Sequence, residues 1–157
     1  MRIGITGHSN LVPECLPAVH AALAEVLGEL TPPLVGVSCL APGADQVFAR
    51  VVLELGGAVE VVLPAMDYRD KMAPEHRDSY DDLLRRASVV SVLPHLLSGR
   101  QAYVAANERM LASIDLLVAV WDGVPAAGKG GTAETVEHAR ACGVPVQVVW
   151  PPEARRA

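Results

Sequence analysis

The sequence predicts a doubly wound α/β fold, in which a parallel sheet of five to six strands lies between helices on both faces. Short apolar runs alternate with longer segments of helical periodicity along the whole chain. Most of these runs are apolar throughout rather than at alternate positions, which is typical of strands buried on both faces. No internal repeat, low-complexity tract or linker divides the 157 residues, so we expect residues 1–157 to form a single domain.

The apolar runs are the predicted strands. In chain order they are Arg2–Thr6, Leu34–Ser38, Ala58–Leu63, Ser88–Leu93, Asp115–Val120 and Val144–Trp150. Pro64 and Pro94 close the third and fourth runs, because proline cannot donate to a sheet ladder. An edge of the sheet is the candidate position for the fourth run.

The segments between these runs are predicted helices. They are Pro13–Leu30, Gly43–Leu55, Pro74–Arg86, Gly99–Ile114 and Thr132–Cys142. The first has one apolar face at helical spacing and ends before Pro32 and Pro33. Glycine stops the second, and Pro74 suits the first helical position of the third.

Composition and charge narrow the classes of function. The chain is 51% hydrophobic and 20% charged, as expected of a globular domain. Its net charge of −5 argues against a nucleic-acid partner, because nucleic-acid binders normally carry a basic face. Three cysteines without a C-x-x-C spacing predict neither a zinc site nor disulfides. The apolar runs are too short for a membrane span or a signal peptide, so we expect a soluble, cytoplasmic protein without metal, cofactor or membrane partner.

Polar and glycine residues collect after the predicted strands, where the loops of a parallel sheet converge at the carboxyl edge. The candidate ligand- or phosphate-binding residues are Thr6, Gly7, His8, Ser38, Gly43, Asp45, Asn107, Asp122, Gly123, Gly130, Gly131 and Thr132. The alternatives are structural: glycine is the usual turn residue, His8 could simply be exposed, Asp45 could complement a helix N-terminus, and Asn107 could be a surface residue.

The segment from Gly130 to Thr132 predicts an anion site, because it joins a buried strand to a helix start through two glycines. Thr132 is also a good N-cap residue. Lys129 either closes over the anion or is a solvated loop lysine. Glu134, in the first turn, either faces a ribose or complements the helix dipole.

Motifs of the common nucleotide and hydrolase folds do not occur. The sequence has no G-x-x-x-x-G-K-S/T, no G-x-G-x-x-G after the first strand and no G-x-S-x-G. The acidic residues Glu75, Asp78, Asp81 and Asp82, with His76, have no metal-ligand spacing and are interpreted as a solvated helix face.

Taken together, the glycine-bearing segments resemble the SLOG superfamily, a Rossmann-like group that includes Lonely Guy-type phosphoribohydrolases, DprA/Smf domains and YpsA-like proteins. The residues that carry the resemblance are Gly4-Ile5-Thr6-Gly7-His8, Gly36-Val37-Ser38 with Gly43-Ala44-Asp45-Gln46, Asn107 with Met110 before Asp115, and Trp121-Asp122-Gly123 with Gly130-Gly131-Thr132. The chain is most similar to the YpsA-like branch. The resemblance implies a nucleotide or nucleotide-derived ligand at the glycine-bearing loops.

Lonely Guy enzymes cleave the N-glycosidic bond of nucleoside monophosphates with an arginine and a glutamate. The resemblance aligns these two positions with Ala106 and Thr135, so both catalytic side chains are replaced. The function expected is therefore nucleotide binding, as a sensor, with a phosphoribohydrolase using Glu134 as catalytic carboxylate as the alternative. A DprA-like single-stranded DNA binder is disfavoured by the net charge. A homodimer is also expected, with contact residues suggested at Leu83, Leu84, Leu96 and Leu97.

Overall fold

A computed structural model describes residues 1–125 and 131–157. Its core is a six-stranded parallel sheet with the strand order β4-β3-β2-β1-β5-β6. The strands are β1 Arg2–Gly7, β2 Val35–Ser38, β3 Ala58–Leu63, β4 Val89–Val92, β5 Leu116–Val120 and β6 Val146–Val149. The predicted doubly wound α/β fold is confirmed, and the fourth strand lies at an edge of the sheet.

Among the described residues, six helices connect the strands. They are α1 Leu16–Gly28, α2 Ala44–Glu54, α3 Tyr68–Lys71, α4 Pro74–Arg86, α5 Arg100–Leu111 and α6 Thr132–Ala141, with a 3-10 turn at Pro13–Cys15 before α1. The first predicted helix is thus divided, since Pro17 lacks an N–H and fits only the first turn of an α-helix. The sequence missed α3, because four residues are too few to create a periodic pattern.

The core has one apolar layer on each face of the sheet. Helices α1, α2 and α4 cover one face, where Phe48, the only phenylalanine in the chain, is fully buried. Helices α5 and α6 cover the other face, around Met110 and Leu117. Buried apolar area of this kind supplies the main driving force for folding. The polar groups of the loops are left to collect at the strand ends.

The edge strand β4 is apolar but exposed. Val89, Val90 and Val92 keep 48%, 44% and 49% of their surface accessible, and Leu96 and Leu97 keep 74% each. By contrast, Leu83 is fully buried inside the chain, so its suggested place at a dimer contact is wrong, and Leu84 is partly buried against the same core. The homodimer itself stays a prediction. Within the described residues, no helix has the length and apolar character that a membrane crossing requires.

Candidate functional site

A cleft of about 850 Å³ opens at the carboxyl edge of the sheet. It lies where β1 has β2 on one side and β5 on the other, the switch point at which doubly wound sheets bind ligands. Its volume is typical of small-molecule sites. Of the candidate residues, those that line the cleft are Thr6, Gly7, His8, Asp45, Asn107, Gly131 and Thr132. The sequence therefore identified the edge and much of its lining.

Two glycines bring the start of α2 against the end of β1. A Cβ on Gly7 would lie 2.4 Å from the Cβ of Ala44, so no larger residue fits between strand and helix. Gly43, the N-cap of α2, has φ +80°, and a Cβ there would lie 2.7 Å from the carbonyl oxygen of His8. Gly43 is not among the lining residues, and we assign it to this close approach rather than to the ligand.

The side chain of Ser38 stabilises the loop between β2 and α2 through hydrogen bonds. It is fully buried, and its hydroxyl accepts the N–H of Leu40 at 3.0 Å and donates to the carbonyl of Asp45 at 3.4 Å. Leu40 needs this support because it has φ +55°, which is unfavourable for a branched side chain. Ser38 is not among the residues that line the cleft, so its role as a ligand-binding residue stays a prediction from the sequence.

Asp45 lies in the first turn of α2, is buried, and is among the residues that line the cleft. Burial raises the pKa of this carboxyl to about 7, and the N–H groups of Ala41 and Cys39 offset only part of that effect. The carboxyl is therefore able to donate a hydrogen bond near neutral pH as well as to accept one, which suits a ligand hydroxyl or carbonyl group.

His8 is also buried, with 8% of its surface exposed. Burial, followed by the charge of Arg156, lowers the pKa of the imidazole below its usual value, which favours the neutral ring at neutral pH. Its Nε2 lies 3.4 Å from a carboxylate oxygen of Asp122, but the neutral ring accepts the N–H of Asp122 there, at 3.3 Å. We therefore place its proton on Nδ1. The ring also packs edge-on against Trp150, so the exposed alternative for His8 was wrong.

Asp122 and Gly123 form the turn that follows β5. One carboxylate oxygen of Asp122 accepts the N–H of Val124 at 3.0 Å, and the other accepts Nη1 of Arg156 at 3.3 Å. Burial raises the pKa of this carboxyl, but these hydrogen bonds and the nearby positive charge together outweigh burial, and the net pKa is lowered. Gly123 has φ +80° and is exposed. Neither residue lines the cleft, so both are assigned to the turn and not to direct ligand contact.

Helix α6 begins at the cleft. Gly131 is its N-cap residue, with φ +92°, and Thr132 is its first helical residue, so the prediction of Thr132 as the N-cap was wrong by one position. Thr132 is buried and lines the cleft with Gly131. Gly130 and Lys129 lie outside the described residues, so the parts assigned to them stay predictions from the sequence.

The two positions that the resemblance aligns with catalytic side chains are neutral. Ala106 is fully buried, and Thr135 accepts the side-chain N–H of Asn107 at 3.3 Å while donating to the carbonyl of Gly131 at 3.2 Å. Glu134 points elsewhere, because its carboxylate accepts a hydrogen bond from Arg100 at 2.9 Å. It lines a smaller neighbouring cavity of about 320 Å³ instead of the main cleft.

Several lining residues were missed from the sequence. They include Tyr68, Lys71, His76, Tyr103, Trp121 and Arg156. The rings of Tyr68 and Tyr103 meet edge to face, with centroids 6.3 Å apart. The interpretation of the polar stretch as a solvated face holds for Asp81 and Asp82, which pair with surface arginines, but not for His76. Within the described residues, no group of three His, Cys, Asp or Glu side chains could hold a metal ion.

Comparison with known proteins identifies the type of fold. No family model matches the chain, and no curated protein sequence matches it. Among solved structures, DprA from Streptococcus pneumoniae has a TM-score of 0.68 at 19% identity, covering 94% of this chain and 49% of that one. DprA from Helicobacter pylori, described for its single-stranded DNA binding mode, has a TM-score of 0.68 at 15% identity, covering 94% and 64%. The chain thus spans less than two thirds of either DprA structure.

The Moco carrier protein of Chlamydomonas rheinhardtii is also similar, with a TM-score of 0.55 at 19% identity, covering 94% of this chain and 74% of that one. These neighbours share a Rossmann-like α/β fold with this chain, which is the fold class that the sequence predicted. At such identities the likeness establishes the fold alone. One neighbour is described as binding single-stranded DNA, so these structural comparisons do not support the expectation that nucleic acid is not a partner.

Proposed function

We propose that the chain binds a nucleotide or a nucleotide-derived phosphate compound in the cleft, as a binding or sensing module. The observation that carries this proposal is the joint opening of α2 and α6 into one cleft of about 850 Å³. Unpaired N–H groups and a partial positive charge make helix N-termini favourable for phosphate. Because both helices start at this edge, the N-terminus of either can serve an anionic group of the ligand.

In this proposal the phosphate lies at the start of α6, near Gly131 and Thr132, and the base lies against the aromatic wall. Tyr68 and Tyr103 supply that wall, and Asn107 supplies an amide that can recognise a base edge. Tyr103 suits this role because 42% of its surface is exposed, so a ligand can cover it without disturbing the core.

The test is a thermal-shift and calorimetry screen of nucleoside 5′-monophosphates against the matching nucleosides. A ligand present at 100 times its Kd stabilises the folded state by about 2.7 kcal/mol, which raises the melting temperature measurably. Tyr103→Ala should weaken binding of both series. Leu55→Ala, with similar exposure at the opposite end of α2, is the matched control and should not. Failure of every phosphate-bearing compound to bind contradicts the proposal.

Hydrolysis is the alternative use of the same cleft. A phosphoribohydrolase needs a carboxyl beside the ribose, and Asp45 is the one carboxyl among the described residues that line the cleft. The pairing of Glu134 with Arg100 weighs against Glu134 as that group. Chromatography after incubation with AMP decides: adenine release that is lost in Asp45→Asn or in Glu134→Ala supports hydrolysis, and intact AMP supports the binding module.

Single-stranded DNA is a second candidate ligand, favoured by the similarity of fold to DprA. The net charge of −5 opposes it, because binding depends on lysines and arginines that neutralise phosphates. A mobility-shift assay with an oligothymidylate distinguishes the two: DNA binding should weaken steeply with added salt, whereas the proposed module should leave the oligonucleotide unshifted even at low salt.

A further inference from the structure

The segment after β6 folds back over the loop between β1 and α1. We call residues 151–157 the strap. The N–H of Val12 donates to the carbonyl of Arg155 at 2.9 Å, the N–H of Ala157 donates to the carbonyl of Asn10 at 2.7 Å, and Ala154 is buried in the core. These contacts lie on both sides of residue 156, so the backbone there is fixed beside the cleft.

The side chain of Arg156 is held at two points. Its Nη1 donates to Asp122 at 3.3 Å and its Nε donates to the side-chain oxygen of Asn10 at 3.2 Å. A planar guanidinium with two such contacts has a fixed orientation. Its Nη2 takes part in none of the hydrogen bonds among the described residues, and 43% of the side chain is exposed where it lines the cleft. The arginine therefore presents a pre-oriented pair of N–H donors.

We propose that Arg156 binds a phosphate oxygen of the ligand through Nη2, and that Asp122 is the positioning residue that holds the guanidinium for it. This inference rests on the proposed nucleotide binding. A guanidinium matches phosphate geometry and is always charged, which makes it a preferred phosphate donor. Lys71 is the other lysine or arginine among the described lining residues, and Asp45 is the one carboxyl among them.

A substitution of Asp122 distinguishes positioning of the Arg156 guanidinium from simple charge attraction. If net charge alone governed phosphate binding, removing the negative charge of Asp122 would strengthen it. If Asp122 holds the guanidinium, Asp122→Asn should weaken phosphate binding. The asparagine amide keeps an oxygen that accepts the N–H of Val124, but it loses the carboxylate oxygen that accepts the hydrogen bond from Nη1 of Arg156. The two explanations therefore predict opposite signs for one substitution.

The experiment is calorimetric titration of AMP and adenosine into the full chain and its variants. Wild-type protein should bind AMP more tightly than adenosine. Arg156→Gln should weaken AMP binding by about 10- to 100-fold, the usual range for a lost charge-assisted hydrogen bond, and should leave adenosine binding unchanged. Arg156→Lys should recover part of the loss, and Asp122→Asn should weaken AMP several-fold, again without effect on adenosine.

Arg155→Gln is the matched control, because it makes the same charge change in the same strap on an exposed side chain outside the cleft. It should stay within about 2-fold of wild type. An unchanged AMP-to-adenosine ratio in Arg156→Gln overturns the role of Arg156 and leaves nucleotide binding standing. Equal affinity of the wild type for the two compounds overturns the role of Arg156 and also the proposed phosphate position at the start of α6. Tighter AMP binding in Asp122→Asn overturns its positioning role. Binding of neither compound by the wild type overturns the role of Arg156 in binding AMP, whereas nucleotide binding itself is overturned only when no nucleoside 5′-monophosphate of the screen binds. If Arg156→Gln does not fold, the AMP and adenosine affinities of Arg156→Lys are compared with those of the wild type instead.

Discussion

Replacing Asp45 with asparagine is expected to stabilise the protein above neutral pH and to change its stability little in acid. Burial raises the pKa of this carboxyl from 3.8 to about 7 in the folded protein. Between these values the folded state binds more protons at this site than the unfolded state does. The contribution of Asp45 to the free energy of unfolding is therefore most favourable below about pH 4 and falls until about pH 7.

The size of this fall follows from the shift itself. Each pKa unit corresponds to 1.36 kcal/mol, so the change from 3.8 to about 7 amounts to about 4 kcal/mol in total. This is a ceiling, because water entering from the cleft would hydrate the carboxylate and reduce it. An asparagine cannot ionise, and its amide oxygen can still accept the N–H of Ala41. The Asp45→Asn variant should therefore keep most of the free energy of unfolding that the wild type loses as the pH rises.

Urea unfolding at pH 5 and pH 8 measures the effect. From pH 5 to pH 8, the free energy of unfolding should fall by about 2–3 kcal/mol more in the wild type than in Asp45→Asn. The lowered pKa of His8 acts equally in both proteins and cancels in the comparison. Asp78→Asn, which removes an exposed carboxylate from α4, is the control and should behave as the wild type. Equal losses in the wild type and in Asp45→Asn would refute the reasoning.

Three further substitutions test the packing that places the cleft. Gly7→Ala should lower the free energy of unfolding by about 1–3 kcal/mol through overpacking against α2, whereas Gly28→Ala, with open space around it, should be neutral or slightly stabilising in the same chemical denaturation assay. Ser38→Ala should cost about 1–3 kcal/mol because it leaves the buried N–H of Leu40 without an acceptor, and amide exchange at Leu40 should accelerate. Leu23→Ala should cost about 2–5 kcal/mol by opening a cavity in the core, measured as a lower urea midpoint at unchanged m-value.

The strands and long helices were predictable because each is decided by local pattern. The third strand and α4 match their predicted bounds, since Pro64 follows the apolar run of the strand and Pro74 suits the first position of the helix. The short helix α3 was not predictable, because its buried Tyr68 owes its position to the rings of Tyr80 and Tyr103 rather than to its neighbours in sequence. Tertiary packing overrides weak local preference in such segments.

The candidate site was predictable as a place more than as a set of contacts. The rule that loops after parallel strands meet at the carboxyl edge put Thr6 and Asp45 at one edge, where both line the cleft. Which polar group faces the ligand depends on partners far along the chain, as with Ser38, whose hydroxyl is used by its own loop. Arg156 is the clearest case, because it reaches Asn10 across 146 positions of sequence. No local pattern encodes such a pairing, although small residues at 7 and 44 could have signalled the close approach of α2.

The exposed strand β4 bears on how concentrated solutions of the protein will behave. An apolar edge without lysine or proline is a template to which a strand of another molecule can add. Val89, Val90 and Val92 give the chain such an edge. None of the three valines lines the cleft. The substitution Val90→Lys should therefore suppress aggregation at the high protein concentrations that calorimetry needs, without changing the proposed binding residues.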